Sequence, residues 1–347
     1  MILLGIESSC DETAASVLKA TNGKFKVLSN VVSSQVATHA KYGGVVPEVA
    51  ARLHIEKILP IVHVALREAE LALKDLDAIA VCGGPGLISA LLVGVETAKT
   101  LAYIWQKPLI PINHLQAHLY ANWLRPNNKE PKFPAIGLVV SGGHTDLVLM
   151  KNHRQIKWLG GTRDDAAGEC FDKCARLLGL GYPGGPAISK EAKKLEIGNS
   201  KLENRLPRPM INDDNFDFSF SGLKTAVLNR IKEQESKKVK VEIASLAYEI
   251  QEAITDVLVE KTLRATEKYK AKSVLLAGGV VANPRLREKF FSSFSQFSSI
   301  SLFVPKAQLC TDNATFIASC AYFNFHPVPF SQIHADSSLG IEEMIKS

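Results

Sequence analysis

The chain has 347 residues, 46% of them hydrophobic, which is enough for two domains with their own cores at ~100–200 residues each. A formal charge of +6 is compatible with nucleic acid as a partner without demanding it, and no apolar run reaches the ~20 residues of a membrane span. Six cysteines (Cys10, Cys82, Cys170, Cys174, Cys310, Cys320) include no C-x-x-C pair, which argues against a disulfide framework or a cysteine-type zinc site and for reduced, mostly buried thiols.

The opening "MILLGIESSC" has neither a basic n-region nor a small-residue cleavage site, so no signal or transit peptide is expected and a cytoplasmic location follows. Residues 2–6 and 13–18 are β-prone runs joined by the polar "ESSCDE", a strand, turn, strand hairpin. Residues 48–73 carry apolar residues at helical spacing, with Pro60 expected to break or kink the helix. "DAIAVCGGPGLISALLVGVETAKTLA" then reads as a buried strand, a Gly/Pro loop and a helix, the crossover pattern of a parallel or mixed sheet, and this half ends near Pro111.

The hairpin figure returns roughly 130 residues later, where 135–140 and 146–150 flank the turn "SGGHT", so two related α/β halves are expected. Such a turn aims a row of backbone N–H groups at one place, an anion cradle. Residues 165–181 read as a helix stopped by glycine and "YPGGP", and 191–215 are polar and irregular. "FDFSFS" at 216–221 alternates, which sends Phe216, Phe218 and Phe220 to a core. A long helix over about 240–270 precedes "SVLLAGGVVAN", a buried strand entering a glycine turn. Neither G-x-x-x-x-G-K-[ST] nor G-x-G-x-x-G occurs, which disfavours P-loop and Rossmann readings.

His114 and His118, four apart, lie on one helical face and could converge on one ion or be two ordinary core or surface histidines. A zinc protease of this spacing needs Glu directly after the first histidine, and Leu115 stands there. The turns "SGGH" at 141–144 and "AGGV" at 277–280 are bare tight turns singly, and together they tilt toward a nucleotide site. Carboxylates cluster at Asp11 and Glu12, at Asp164 and Asp165, and at Asp172 on a largely apolar helix. The basic stretches 205–209 and 224–240 read as solvated helix surface or as contacts for an RNA backbone.

Nine fragments in order carry a resemblance: "GIESSCDETAASV", "HAKYGGVVPEVAARLH", "GGPGLISALLVG", "NHLQAHL", "LVVSGGHTDLV", "DDAAGECFDKCARLLGLGYPGGP", "FSFSGLKTA", "LAGGVVANPRLRE" and "LCTDNATFIA". They resemble the TsaD/Gcp/Kae family in its bacterial or organellar branch. The resemblance implies an actin, sugar kinase and Hsp70-like (ASKHA) α/β fold, with an N-terminal lobe over 1–112 completed by 320–347 and a C-terminal lobe over 113–319. It implies transfer of the threonylcarbamoyl group from threonylcarbamoyl-AMP to N6 of adenosine 37 in tRNAs reading codons that start with A, with release of AMP.

Position by position, the family's metal ligands fall on His114, His118 and Asp312, implying one divalent ion per subunit, iron or zinc, with room for Mg2+ beside a nucleotide. Its substrate-binding positions fall on Val139, Val140, Ser141, Gly142, Gly143, Asp172, Gly185, Ser189 and Asn283. Adenine N6 is a poor nucleophile, and Asp11 or Glu12 in the first-lobe turn is the candidate base. A TsaB-like partner of the same fold and a TsaE-like ATPase are implied, or a homodimer for an organellar relative, and no membrane. Cys170 and Cys174 stand where similar proteins usually carry small or aliphatic residues, which suggests oxidation sensitivity, and 320–347 resembles the family least. Two other readings stand beside the transferase, a nucleotide-binding assembly protein and the disfavoured metallopeptidase.

Overall fold

The computed structural model describes residues 1–124, 130–195, 205–238 and 241–343. Parts of the irregular stretch 191–215, of the basic run 224–240 and of the tail 320–347 lie outside these residues. The chain divides into two compact units: Met1–Pro131, Lys151–Ile156 and Pro305–Ser347 form unit 1, and Lys132–Met150 with Lys157–Val304 form unit 2.

Unit 1 opens with the expected hairpin, β1 (Ile2–Glu7) antiparallel to β2 (Glu12–Thr21), extended by β3 (Lys24–Ser34). After the single turn α1 (Val36–His39) comes α2 (Pro47–Glu68), which runs on through Pro60. Pro60 and Glu56 lie on the exposed side, so the carbonyl deprived of its donor faces water, while Ile58, Ile61, Val62 and Ala65 hold the other side in the core. The strand, loop, helix pattern is realised as β4 (Ala78–Gly84) and α3 (Ile88–Trp105), followed by β5 (Leu109–Asn113) and α4 (His114–Tyr120). Helix α3 is long and apolar enough to cross a membrane by length and composition alone. Its face of Ala90, Leu91, Val95, Ala98, Leu101 and Ala102 is buried, which marks it as a core helix.

Unit 2 repeats the plan. Strands β6 (Ala135–Val140), β7 (Thr145–Asn152) and β8 (Gln155–Gly161) form the meander, and helices α5 (Ala167–Leu177), α6 (Gly184–Ala192), α7 (Ser221–Ser236) and α8 (Ile243–Lys268) lead to β9 (Ser273–Ala277). Helix α9 (Pro284–Phe294) and β10 (Ser301–Phe303) complete the second sheet. Its strand order, β10-β9-β6-β7-β8, is that of β5-β4-β1-β2-β3, with the central strand antiparallel to its hairpin mate and parallel to the crossover strand in both. Phe216, Phe218 and Phe220 are buried, as the alternation requires. Helix α5 is shorter than the helical reading of 165–181: it begins at Ala167 and ends at Leu177, just ahead of Gly179 in the left-handed region.

The last helix, α10 (Ala314–Phe323), belongs to unit 1 and is buried against β1, β2 and α4. Side chains alternate along β1, so Leu4 and Ile6 enter the core shared with α2 and α3, while Gly5 and Glu7 face the α10 side. A Cβ on Gly5 would run into the Ala314 carbonyl, so only glycine lets the start of α10 settle on the strand. That contact fixes where Asp312 sits.

Candidate functional site

Asn113 ends β5 and caps α4 in one step, its Oδ1 accepting from the Leu115 N–H at 2.9 Å and the Gln116 N–H at 3.2 Å. This places His114 at the first helical position and His118 one turn on, both buried. Asn313 caps α10 in the same way, accepting from the Thr315 and Phe316 N–H groups at 3.0 and 3.3 Å, and leaves Asp312 just ahead of the helix. Three donor atoms then meet: His114 Nε2 lies 3.1 Å from His118 Nε2 and 3.6 Å from Asp312 Oδ1, and His118 Nε2 lies 3.2 Å from that same oxygen. Ligands at about 2.0–2.1 Å around a tetrahedral ion stand about 3.3 Å apart, so the triangle fits a divalent metal. Asp312 is the most exposed of the three side chains, at 18%, against 9% for His114 and 1% for His118, and it opens the site on one side.

The other nitrogen of His114, Nδ1, is 3.0 Å from Glu7 Oε2 and 3.3 Å from Ser9 Oγ. Glu7, Cys82 and His114 thus form a second group able to hold an ion, sharing His114 with the first. Burial works against a charged His114, but Glu7 and Asp312 outweigh it and hold its pKa well above the ordinary imidazole value. Burial pulls His118 the other way, with Asp312 opposing. Sequence reasoning missed Glu7 and Cys82; the available signal was a carboxylate closing the otherwise apolar strand "ILLGIE".

The two candidate bases share this neighbourhood. Burial, then Asp312 and Asp11, push Glu12 up to about 9, and the Ser34 hydroxyl donates to its Oε1 at 3.1 Å. The turn is braced from α2: His54 Nδ1 meets Thr13 Oγ1 at 2.7 Å, and His54 Nε2 donates to the Cys10 carbonyl at 2.9 Å. This brace left no mark in the local sequence pattern.

In unit 2 the glycine turn closes with the Ser141 N–H donating to the His144 carbonyl at 2.9 Å and the His144 N–H to Ser141 Oγ at 3.1 Å. The N–H groups of Gly142 and Gly143 have no hydrogen-bond partner among the described residues, and both glycines border open space. Val139 and Val140 are fully buried in β6 and anchor the turn. Gly168, at the start of α5, donates to the Ser141 carbonyl at 3.2 Å, an approach that any Cβ would block. One turn along, Asp172 accepts from the Gly184 N–H at 2.6 Å, which brings the start of α6 with Gly185 and Ser189 alongside α5. Asn283 caps α9, its Oδ1 accepting from the Arg285 and Leu286 N–H groups and its Nδ2 donating to Gln251 at 2.9 Å.

Other candidates turn out to have structural partners. Asp164 accepts from the hydroxyls of Ser219 and Ser221 and from the N–H groups of Phe220 and Ser221, capping α7, and Asp165 pairs with Lys173. Arg208 of the basic stretch is held by Glu249 and Asp256. All six cysteines are free. Cys170 and Cys174 are buried with sulfurs 3.9 Å apart, and the neighbouring thiol together with burial holds the Cys170 thiol protonated, which works against the oxidation expected there.

A family profile described as TsaD, tRNA N6-adenosine threonylcarbamoyltransferase, matches residues 26–319. Proteins carrying that description include one from Syntrophomonas wolfei, 49% identical over 93% of this chain and 92% of its own length. Another, from Dehalococcoides mccartyi, is 51% identical over 94% of both chains. Among solved structures, full-length HypF in its phosphate- and nucleotide-bound form superposes with a TM-score of 0.58 at 12% identity over 93% of this chain and 55% of that one. The HypF of T. kodakarensis gives 0.57 at 15% identity over 93% and 47%, so this chain spans about half of those longer proteins and shares their ASKHA-type fold. With the profile matching over residues 26–319 and about half of the aligned residues identical to bacterial members, the chain belongs to the TsaD family of tRNA N6-adenosine threonylcarbamoyltransferases.

Proposed function

We propose that this chain carries out its family's transfer with His114, His118 and Asp312 as metal ligands and with the glycine turn of unit 2 as the nucleotide cradle. The chain moves the threonylcarbamoyl group from threonylcarbamoyl-AMP to N6 of adenosine 37 in tRNAs reading codons that start with A, and AMP leaves. The acyl donor is a mixed anhydride with a good leaving group, so orientation and charge stabilisation are the protein's task. The convergence of two imidazole nitrogens and one carboxylate oxygen is the observation that carries the reading.

An iron or zinc ion held there supplies Lewis acidity toward the threonylcarbamoyl carbonyl. An N2O donor set suits either ion. The N–H groups of Gly142 and Gly143 donate to the AMP phosphate, with Mg2+ as its counterion, and Val139, Val140 and Ser141 hold that turn in place. Asp172 takes the ribose hydroxyls, and Gly185 and Ser189 of α6 line the same place. Asn283 contributes the second Nδ2 hydrogen that its contact with Gln251 does not use. Asp11 or Glu12, at the turn after β1, accepts the N6 proton as its carboxylate anion.

For partners, α2 offers Ile55 and Leu59, 65% and 57% exposed, as an apolar face for a TsaB-like subunit, with a TsaE-like ATPase joining in the cytoplasm. The test of the whole reading is to replace His118 or Asp312 by Ala, then measure bound metal and modified nucleoside from preformed threonylcarbamoyl-AMP. Both are expected to fall together; unchanged metal and full transfer would overturn it.

A further inference from the structure

We infer that Glu7 is a positioning residue for the metal centre, a buried carboxylate that locks the His114 ring in the one tautomer and orientation able to present Nε2 to an ion. The inference rests on the reading of His114, His118 and Asp312 as ligands.

Glu7 is fully buried at the end of a strand whose other residues are apolar or glycine. A carboxylate there is costly unless its oxygens are engaged, and both are. Oε1 accepts the Ser9 N–H at 2.6 Å, which ties the carboxylate to its own turn, and Oε2 faces His114 Nδ1 at 3.0 Å. With Glu7 Oε2 accepting, Nδ1 carries the hydrogen and donates, so the neutral ring that binds an ion has its lone pair on Nε2, on the far side. That lone pair points to where His118 Nε2 and Asp312 Oδ1 also converge. The carboxylate makes the imidazole a stronger donor to a cation and removes its freedom to flip.

His118 supplies the contrast. Its Nδ1 is buried with no hydrogen-bond partner among the described residues, and its ring lies against Phe316 with centroids 4.6 Å apart. The Nδ1 side of His118 is therefore held by packing and that of His114 by a carboxylate, so the orientation of His114 depends on Glu7. The parity of β1 explains why this residue can reach: Glu7 shares the strand face of Gly5, where α10 makes its close approach.

The test uses the full chain with Zn2+ and Co2+ as probes. Glu7→Gln keeps the size but removes the charge and one of the two acceptor oxygens, its amide NH2 donating where an oxygen accepted, and Glu7→Asp keeps the charge with a shorter reach. Glu7→Gln is expected to weaken Zn2+ affinity, measured by chelator competition, by roughly 10–100-fold and to alter the Co2+ absorption spectrum, with Glu7→Asp in between. Thermal unfolding of the metal-free variants checks that the fold survives. A folded Glu7→Gln protein with wild-type Zn2+ affinity and an unchanged Co2+ spectrum overturns the inference. If Glu7→Gln does not fold, wild-type affinity in Glu7→Asp overturns it instead. His118→Ala and Asp312→Ala separate the two layers: if they keep Zn2+, the ligand reading itself fails, and if they lose it while Glu7→Gln does not, only the role of Glu7 fails.

Discussion

His114 Nε2 and His118 Nε2 face each other at 3.1 Å from successive turns of one buried helix, with Asp312 Oδ1 closing the triangle. Two ring nitrogens held this way share one proton or one cation. A divalent ion that binds the folded chain alone stabilises it by mass action, by about 2.7 kcal/mol at a hundredfold excess over Kd. Zn2+ should therefore raise the Tm of the wild type, and His118→Ala should abolish the shift while lowering the metal-free Tm through the loss of a buried ring. A Zn2+ shift that survives in that variant would remove His118 from the ligand set.

Gly168 and Ser141 meet backbone to backbone, so Gly168→Ala pushes the glycine turn away from α5. Displacing a binding turn by about 1 Å can cost up to roughly 100-fold in rate. The expected result is a higher KM for threonylcarbamoyl-AMP with Zn2+ affinity unchanged, because the metal residues belong to unit 1. Steady-state kinetics beside chelator competition distinguish this from general unfolding.

Asp164 serves α7 as a cap, with two hydroxyls and two backbone N–H groups donating to it. Asp164→Ala should lower stability by about 1 kcal/mol, the usual worth of a cap, with little effect on turnover at temperatures where the variant is folded. Urea unfolding gives the first number, and the transfer assay the second.

His153 stacks on Phe323 at 4.0 Å, and burial lowers its pKa from 6.5 to about 4. The unfolded chain takes up this proton near pH 6.5 and the folded protein only near 4, so stability is lost as the pH falls through that window, by at most roughly 3 kcal/mol. His153→Phe keeps the stack and removes the proton site. The difference in unfolding free energy between wild type and variant should shrink as the pH falls from 7 to about 4; a difference that stays flat would contradict the buried neutral imidazole.

On α2, Ile55 and Leu59 project apolar surface beside the buried His54. The double change Ile55→Glu and Leu59→Glu should weaken binding of a TsaB-like subunit at least tenfold, by titration calorimetry, and leave Zn2+ affinity as it is. Equal binding would move the docking surface elsewhere.

Local periodicity determined much of this protein. Alternation in 216–221 put three phenylalanines inside, two apolar runs around a polar turn made each hairpin, and their recurrence announced the matching strand orders of the two sheets. The i, i+4 spacing of His114 and His118 was enough to put them on one face, because helix geometry is a short-range matter. Spacing alone left open whether they were ligands, and Asp312 entered only through family resemblance. The tertiary structure decided the rest. It ran α2 through Pro60, spent Asp164 and the Asn283 oxygen on helix caps, and set Glu7, Cys82 and His54 around the turn and the histidines. Those groups come from β1, β4, α2, α4 and the entry to α10, and what joins them is strand pairing and the Gly5 contact with α10, which depend on distant segments meeting.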